Sequence, residues 1–224
     1  MYHRGTTVIH EARTNLMEQA TQIITSLIRN RRERLRFAIQ KDGRLFSLAW
    51  GILTACVEAS GGVMPERASG DRRAVIPIPT LMNVDIILLR NAEIPSYVED
   101  GTAQAAIVGE DQILEQNSRV TIAARLGEAR CSLQLMTSET SSVRSAQDLR
   151  GKRVATSFPC LTKIFLSKNK IVPKEIAERK SIEAAVASGY DAGFDIVDTG
   201  ESMRANKLRS IAIIQNFEAL LITK

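Results

Sequence analysis

The sequence predicts an α/β protein of two lobes, and three observations carry that prediction. Apolar runs of strand length alternate with amphipathic stretches of helix length from Leu35 to Ile222, the grammar of βα units built on mostly parallel sheets. The grammar restarts in the second half of the chain, and each half is shorter than an ordinary domain. The 224 residues are 44% hydrophobic and 25% charged, enough for a packed core and unlike a disordered, collagen-like or low-complexity chain.

Taken in order, Glu11 to Arg32 reads as one amphipathic helix, with Leu16, Met17, Ala20, Ile23, Ile24, Leu27 and Ile28 at helical spacing. A basic cluster, Arg29 to Arg36, follows. The segment reads as a helix packed on the domain or on a partner, with a mitochondrial presequence as the weaker reading because Glu11 and Glu18 are acidic. Leu35 to Gln40 is a strand, Lys41 to Arg44 a polar turn and Leu45 to Ser60 a helix. Ala74 to Ile78 and Val84 to Leu89 are strands, the second apolar enough to be buried on both faces. Ile94 to Asp100 suits a short helix, Ala105 to Val108 a strand ending at Gly109, and Gln112 to Gln116 a helix. Val120 to Leu126 and Cys131 to Met136 are strands.

The second unit opens at the Asp148 to Gly151 turn, with strand Arg153 to Thr156 and helix Leu161 to Asn169 after Pro159. Ile182 to Ser188 is helical, Ala192 to Val197 a strand and Glu201 to Lys207 a helix. Ile211 to Ile214 and Ala219 to Ile222 close the chain as strands. The domains expected are an N-terminal helical extension over 1–33, lobe I over 34–126 and 208–224, and lobe II over 127–207. No apolar run is long enough to span a bilayer.

Charge and cysteine usage exclude several functions. The net charge is +5, and the first 44 residues, with nine basic against four acidic side chains, hold all of it. The remainder is neutral and aromatics are 4%, so a folded nucleic-acid-binding face is not expected; such a role would rest on Arg29 to Arg36 alone. Cys56, Cys131 and Cys160 are widely spaced, and His3 and His10 lie near the start. No zinc-ligand spacing results, and a reduced, cytoplasmic protein is the expectation.

The stretch richest in chemistry is Asp195-Ile-Val-Asp-Thr-Gly-Glu-Ser-Met203. A buried strand runs into a turn of Thr, Gly and Ser and then a helix, which directs backbone N–H groups and two hydroxyls at one space. That space suits a phosphate monoester, and Asp195 and Asp198 could accept hydrogen bonds from ribose hydroxyls. Thr199 or Ser202 acting as a plain helix cap explains the same residues.

The longer run Asp191-Ala192 with Asp195 to Leu208 resembles the signature of the ATP phosphoribosyltransferase family, which catalyses the first step of histidine biosynthesis. Further blocks fall in the family's order: Ile39 to Leu45, Leu88 to Gly101, Ile107 to Asp111, Ala129 to Leu133, Gly151 to Pro159 and Ser181 to Glu183. The resemblance spans about Leu35 to Ile222. It implies a two-lobed fold like a type II periplasmic binding protein, with the active site in the cleft. It also implies attack of adenine N1 of ATP on C1′ of phosphoribosyl pyrophosphate, with Mg²⁺ carried mainly on substrate phosphates and no metal ligands of the protein's own.

Carried onto this chain, the resemblance gives Thr199, Gly200, Glu201, Ser202 and Met203 to the 5-phosphate, and Asp195 and Asp198 to the ribose. Lys41, Arg44, Arg72, Arg90, Thr156 and Ser157 would meet ATP or pyrophosphate. Arg44 and Arg73 would steady the leaving group, Arg73 being preferred to Arg72 on its spacing from Arg90. Glu110 and Asp111 fit a helix cap as well as a ligand contact. The implied partners are ATP, phosphoribosyl pyrophosphate, a second copy in a homodimer or higher oligomer, and a regulatory subunit resembling histidyl-tRNA synthetase. The chain stops at Lys224, where long forms of the family continue into a histidine-binding domain. Departures from the family pattern are Gln104 for Asp, Ala106 and Lys180 for Gly, Val186 for Pro, Lys207 for Gly, and one residue fewer between Gly189 and Asp191. They leave a second reading open, a catalytically degenerate ligand-binding or regulatory relative.

Overall fold

The computed structural model describes residues 3–30, 33–66 and 72–224, with side chains described from Asn15 onward. Arg31 and Arg32 of the basic cluster lie outside the described residues. Contacts divide the chain into two units, the first ending at Ala129 and resuming at Glu218–Lys224, the second running Arg130–Phe217.

In the first unit, α1 (His3–Asn30) leads to β1 (Leu35–Gln40), α2 (Gly43–Ala59), β2 (Val75–Pro77) and β3 (Val84–Leu89). Then follow α3 (Ile94–Glu99), β4 (Ala105–Gly109), α4 (Glu110–Gln116) and β5 (Thr121–Arg125). The sheet has six strands, completed by β11 (Ala219–Thr223), in the order β2-β3-β1-β4-β11-β5. β1 is parallel to β3 and β4, so the C-terminal ends of all three lie on one edge. β3 is buried at every position, as its unbroken apolar run predicts.

The N-terminal helix is part of this unit rather than an appendage. Ala20 and Ile24 are completely buried against α2 and the sheet, and a fully buried Ile contributes about 1.5–3 kcal/mol. Arg29 at its last turn donates to the carbonyl of Ala59, the final residue of α2, satisfying an otherwise open helix end. The apolar stripe was legible in the sequence; its partner was not.

The second unit holds β6 (Cys131–Ser138), β7 (Arg153–Thr156), α5 (Pro159–Lys168), β8 (Glu175–Glu178) and α6 (Ile182–Ala187). It ends with β9 (Ala192–Val197), α7 (Glu201–Ala205) and β10 (Leu208–Phe217), and its sheet runs β10-β6-β9-β7-β8. Three expectations need correction. The sheets are mixed rather than mostly parallel, since β2, β5, β6, β10 and β11 all pair antiparallel. Residues 208–217 do not return to the first lobe: β10 pairs antiparallel with β6 along its whole length, and the chain re-enters the first unit only at Glu218. β8 was missed because four residues bounded by Glu175 and Glu178 carry too little apolar pattern; its register with β7 supplies the strand. No described helix is long and apolar enough to cross a membrane.

Candidate active site

β9 is the middle strand of the second sheet, antiparallel to β6 and parallel to β7. Central position requires close packing on both faces. At Gly193 any Cβ would collide with Ile182 of α6, so the glycine permits the helix to lie against the strand. After Val197 the chain turns through Asp198 and Thr199 to Gly200, whose φ of 73° is the left-handed conformation a side chain resists. The Thr199 hydroxyl accepts the Glu201 N–H at 3.4 Å, and α7 begins.

The result is a cavity of about 210 Å³. Asp195, Asp198, Thr199, Gly200, Glu201, Ser202 and Met203 all line it, joined by Glu183 and Met136. The structure therefore brings together every residue expected of the cradle. Glu183 was absent from the expected ligands, although it belongs to a block resembling the family. It sits on α6, remote in sequence from the turn, and accepts the Ser202 hydroxyl at 2.5 Å. That hydrogen bond, first among its causes, holds the Glu183 carboxyl below its usual range. Burial pushes the Asp195 carboxyl up, hydrogen bonds from Ser157 and the Ile196 N–H oppose that shift, and the Glu183 charge adds to it.

The turn after β7 abuts the same strand. Thr156 is wholly buried, its hydroxyl 2.7 Å from that of Thr162 and accepting the Phe158 N–H at 2.9 Å. Its polar capacity is thus spent inside the turn. Ser157 donates to Asp195 Oδ1 at 2.5 Å.

The basic residues collect in the first unit, and strand register explains how. Gln40 is level with Leu89, which puts Lys41 and Arg90 side by side at the C-terminal ends of β1 and β3. β2 runs antiparallel to β3 with Val75 opposite Ile87, so Arg72 and Arg73, just before it, lie toward that same end. Arg44 stands in the first turn of α2, which contains no acidic residue. Asp42, the N-cap of that helix, lies between Lys41 and Arg44 in the chain. Glu110 is committed elsewhere, to Arg125 at 2.7 Å, and Arg125 also meets Glu218 at 2.9 Å. Asp111 is buried, and burial raises its pKa.

The departures from the family pattern fall mostly away from these strand ends. Gln104 lies before β4 and accepts the Arg36 N–H at 2.8 Å; Ala106 is completely buried mid-strand. Lys180 is exposed and pairs with Glu178, and Val186 packs inside α6. Lys207 holds φ at 53°, a conformation that suits the glycine the family has there.

Two α/β units whose candidate residues sit at the C-terminal ends of strands, one of them lining a cavity with a strand end, a turn and a helix start, define a two-unit α/β class of protein whose ligand site is expected at those ends. Comparison with known proteins narrows the class. The family model for ATP phosphoribosyltransferase (HisG) matches residues 90–224. An ATP phosphoribosyltransferase of Bacteroides thetaiotaomicron is 31% identical over 189 residues, covering 84% of this chain and 64% of its own length. The chain belongs to the ATP phosphoribosyltransferase family and spans about two thirds of the length of that relative. Among solved structures, the ATP phosphoribosyl transferase (HisG:HisZ) complex from Thermotoga maritima matches with a TM-score of 0.65 at 21% identity, over 84% of this chain and 87% of that one. The periplasmic aliphatic sulphonate binding protein SsuA of Escherichia coli matches at 0.55 and 11% identity, over 86% and 65%. The fold is thus the periplasmic-binding-protein-like one that the resemblance implied.

Proposed function

We propose that this chain transfers the phosphoribosyl group of phosphoribosyl pyrophosphate to N1 of ATP, releasing pyrophosphate. The observation that carries the reading is the cradle: a family member that keeps Asp195, Thr199, Gly200 and Ser202 around one cavity retains what a ribose 5-phosphate needs. In the reaction the adenine N1 lone pair forms a bond to C1′ while the C1′ bond to the pyrophosphate oxygen breaks. Positive charge grows on the ribose and negative charge on the leaving oxygens, so the protein's task is positioning and charge stabilisation.

The residues take these parts. Backbone N–H groups of 199–203, with the Thr199 and Ser202 hydroxyls, hold the 5-phosphate. Asp195, with Asp198 and Glu183 beside it, faces the ribose hydroxyls and the charge that develops there. Lys41, Arg44, Arg73 and Arg90, with Arg72 adjoining, hold the phosphates of ATP or the departing pyrophosphate; the guanidinium fork suits such oxygens. Among the described residues no group of three or more His, Cys, Asp or Glu gathers as a metal cage. Mg²⁺ fits best on the hard oxygens of the substrates, where it neutralises pyrophosphate. The Thermotoga neighbour is a HisG:HisZ complex, which supports testing a regulatory subunit here.

The test is formation of the N1-phosphoribosyl adenine chromophore and pyrophosphate from the two substrates with Mg²⁺. It is run with and without a candidate regulatory subunit. Turnover that Ser202→Ala lowers at least tenfold, without unfolding, is the expected result. Absence of product in both conditions sinks the reading and leaves the ligand-binding alternative.

A further inference from the structure

Ser157 carries a hydrogen bond that neither the family resemblance nor the proposed roles account for. We propose that Ser157 is a positioning residue: it fixes the Asp195 carboxylate for the ribose and does not itself hold ATP or pyrophosphate. The inference rests on the phosphoribosyl-cradle reading above and assigns one residue a part within it.

The geometry is closed on three sides. The Ser157 N–H donates to the carbonyl of Phe194 at 3.3 Å, so the backbone of the β7–α5 turn is tied to the residue before Asp195. The Ser157 hydroxyl donates to Asp195 Oδ1 at 2.5 Å, and the Ile196 N–H donates to the same oxygen at 2.8 Å. Two donors occupy Oδ1, which leaves Oδ2 as the oxygen free to meet a substrate hydroxyl. The turn that presents Ser157 is itself braced, since the buried Thr156 hydroxyl meets Thr162 and takes the Phe158 N–H. The carboxylate that engages the Ser157 hydroxyl is half-buried and lines the cavity. Supporting groups of this kind set the orientation of a ligand-binding carboxylate much as they do for metal ligands.

The two roles for Ser157 separate by which substrate feels its loss. In the full-length chain, Ser157→Ala is expected to raise KM for phosphoribosyl pyrophosphate about tenfold, the scale of one hydrogen bond to a charged group. KM for ATP should stay within twofold, and Ser157→Thr should restore most of the loss. A double-mutant cycle with Asp195→Ala, which removes the acceptor, supplies the readout that a merely structural role would not give. Once Asp195 is replaced, removing the Ser157 hydroxyl should change KM for phosphoribosyl pyrophosphate by less than twofold. Binding of ribose 5-phosphate, measured by calorimetry, should follow the same pattern and provides a second route if turnover is slow. A rise in the ATP KM alone, or full additivity with Asp195→Ala, overturns the assignment while leaving the cradle reading intact. If Asp195→Asn leaves phosphoribosyl pyrophosphate and ribose 5-phosphate unaffected, the cradle reading itself fails, and this inference falls with it.

Discussion

The candidate site residues of the two units are built in opposite ways. In the second unit they are contiguous: one strand end, one turn and one short helix supply Asp195 to Met203, and the cavity they form is rich in carboxylates, with Glu183 added from α6. In the first unit they are dispersed over Lys41, Arg44, Arg72, Arg73 and Arg90, and only the register of β1, β2 and β3 brings them toward one sheet edge. On the proposed reading, the first arrangement would orient a substrate by shape and directed hydrogen bonds, and the second would offer positive charge over a wider surface. A reaction that separates a cationic ribose from an anionic leaving group has use for both. The sharpest ways to break this division remove one group from each side and compare stability with activity.

Asp195→Asn should have the largest effect. Loss of the charge facing the ribose is expected to lower kcat/KM for phosphoribosyl pyrophosphate about a hundredfold, on the order of 2.7 kcal/mol. Stability should move the other way. An acid whose folded pKa lies above its unfolded value binds more protons when folded, so its contribution to stability falls as pH rises through that window. Burial raises Asp195 in this sense, so at pH 7 the native carboxylate weakens the fold. The Asn variant should melt higher than the native chain at neutral pH, and the gap should close as the pH is lowered toward the ordinary carboxylate range. A variant that is both inactive and less stable at pH 7 would mean that Asp195 is a structural acid.

Arg44→Ala tests the dispersed side. Its expected cost is about tenfold in kcat/KM for ATP, roughly 1.4 kcal/mol of transition-state stabilisation. Unchanged kinetics would remove Arg44 from the phosphate-holding set and shift the weight to Lys41, Arg73 and Arg90.

The same contrast explains what was legible in the sequence. The cradle could be read whole because its residues are neighbours in the chain and a turn has local chemistry. The shared position of Arg73 and Arg90 needed the antiparallel pairing of β2 with β3, which no local pattern announces. Glu183 was hidden for a related reason, since its contact with Ser202 crosses nineteen positions. β10 shows the limit most plainly. Its apolar positions mark a strand, but Ile211 and Ile214 pack in the second unit, and nothing in their identity selects β6 over β4 as a neighbour. The N-terminal helix repeats the lesson: an amphipathic stripe predicts burial, while Ala20 and Ile24 could have met any apolar face.

The smallest expected effect tests the departures from the family pattern. Lys207 follows α7 with φ at 53°, and its N–H donates to the Arg204 carbonyl at 3.0 Å, closing the helix before β10 begins. A left-handed backbone costs a residue with a Cβ roughly 1–2 kcal/mol relative to the right-handed one. Glycine escapes that strain but loses more chain entropy on folding, about 0.4–1 kcal/mol. The strain term is the larger, so Lys207→Gly should stabilise the fold by about 0.5–1 kcal/mol, read as a raised urea midpoint at unchanged m-value. The Lys207 side chain is exposed and is no part of the cavity lining. Kinetics with both substrates should therefore stay within twofold, which separates a conformational departure from a functional one. A change in KM for phosphoribosyl pyrophosphate would instead mean that the end of α7 governs the set of the cradle at its start.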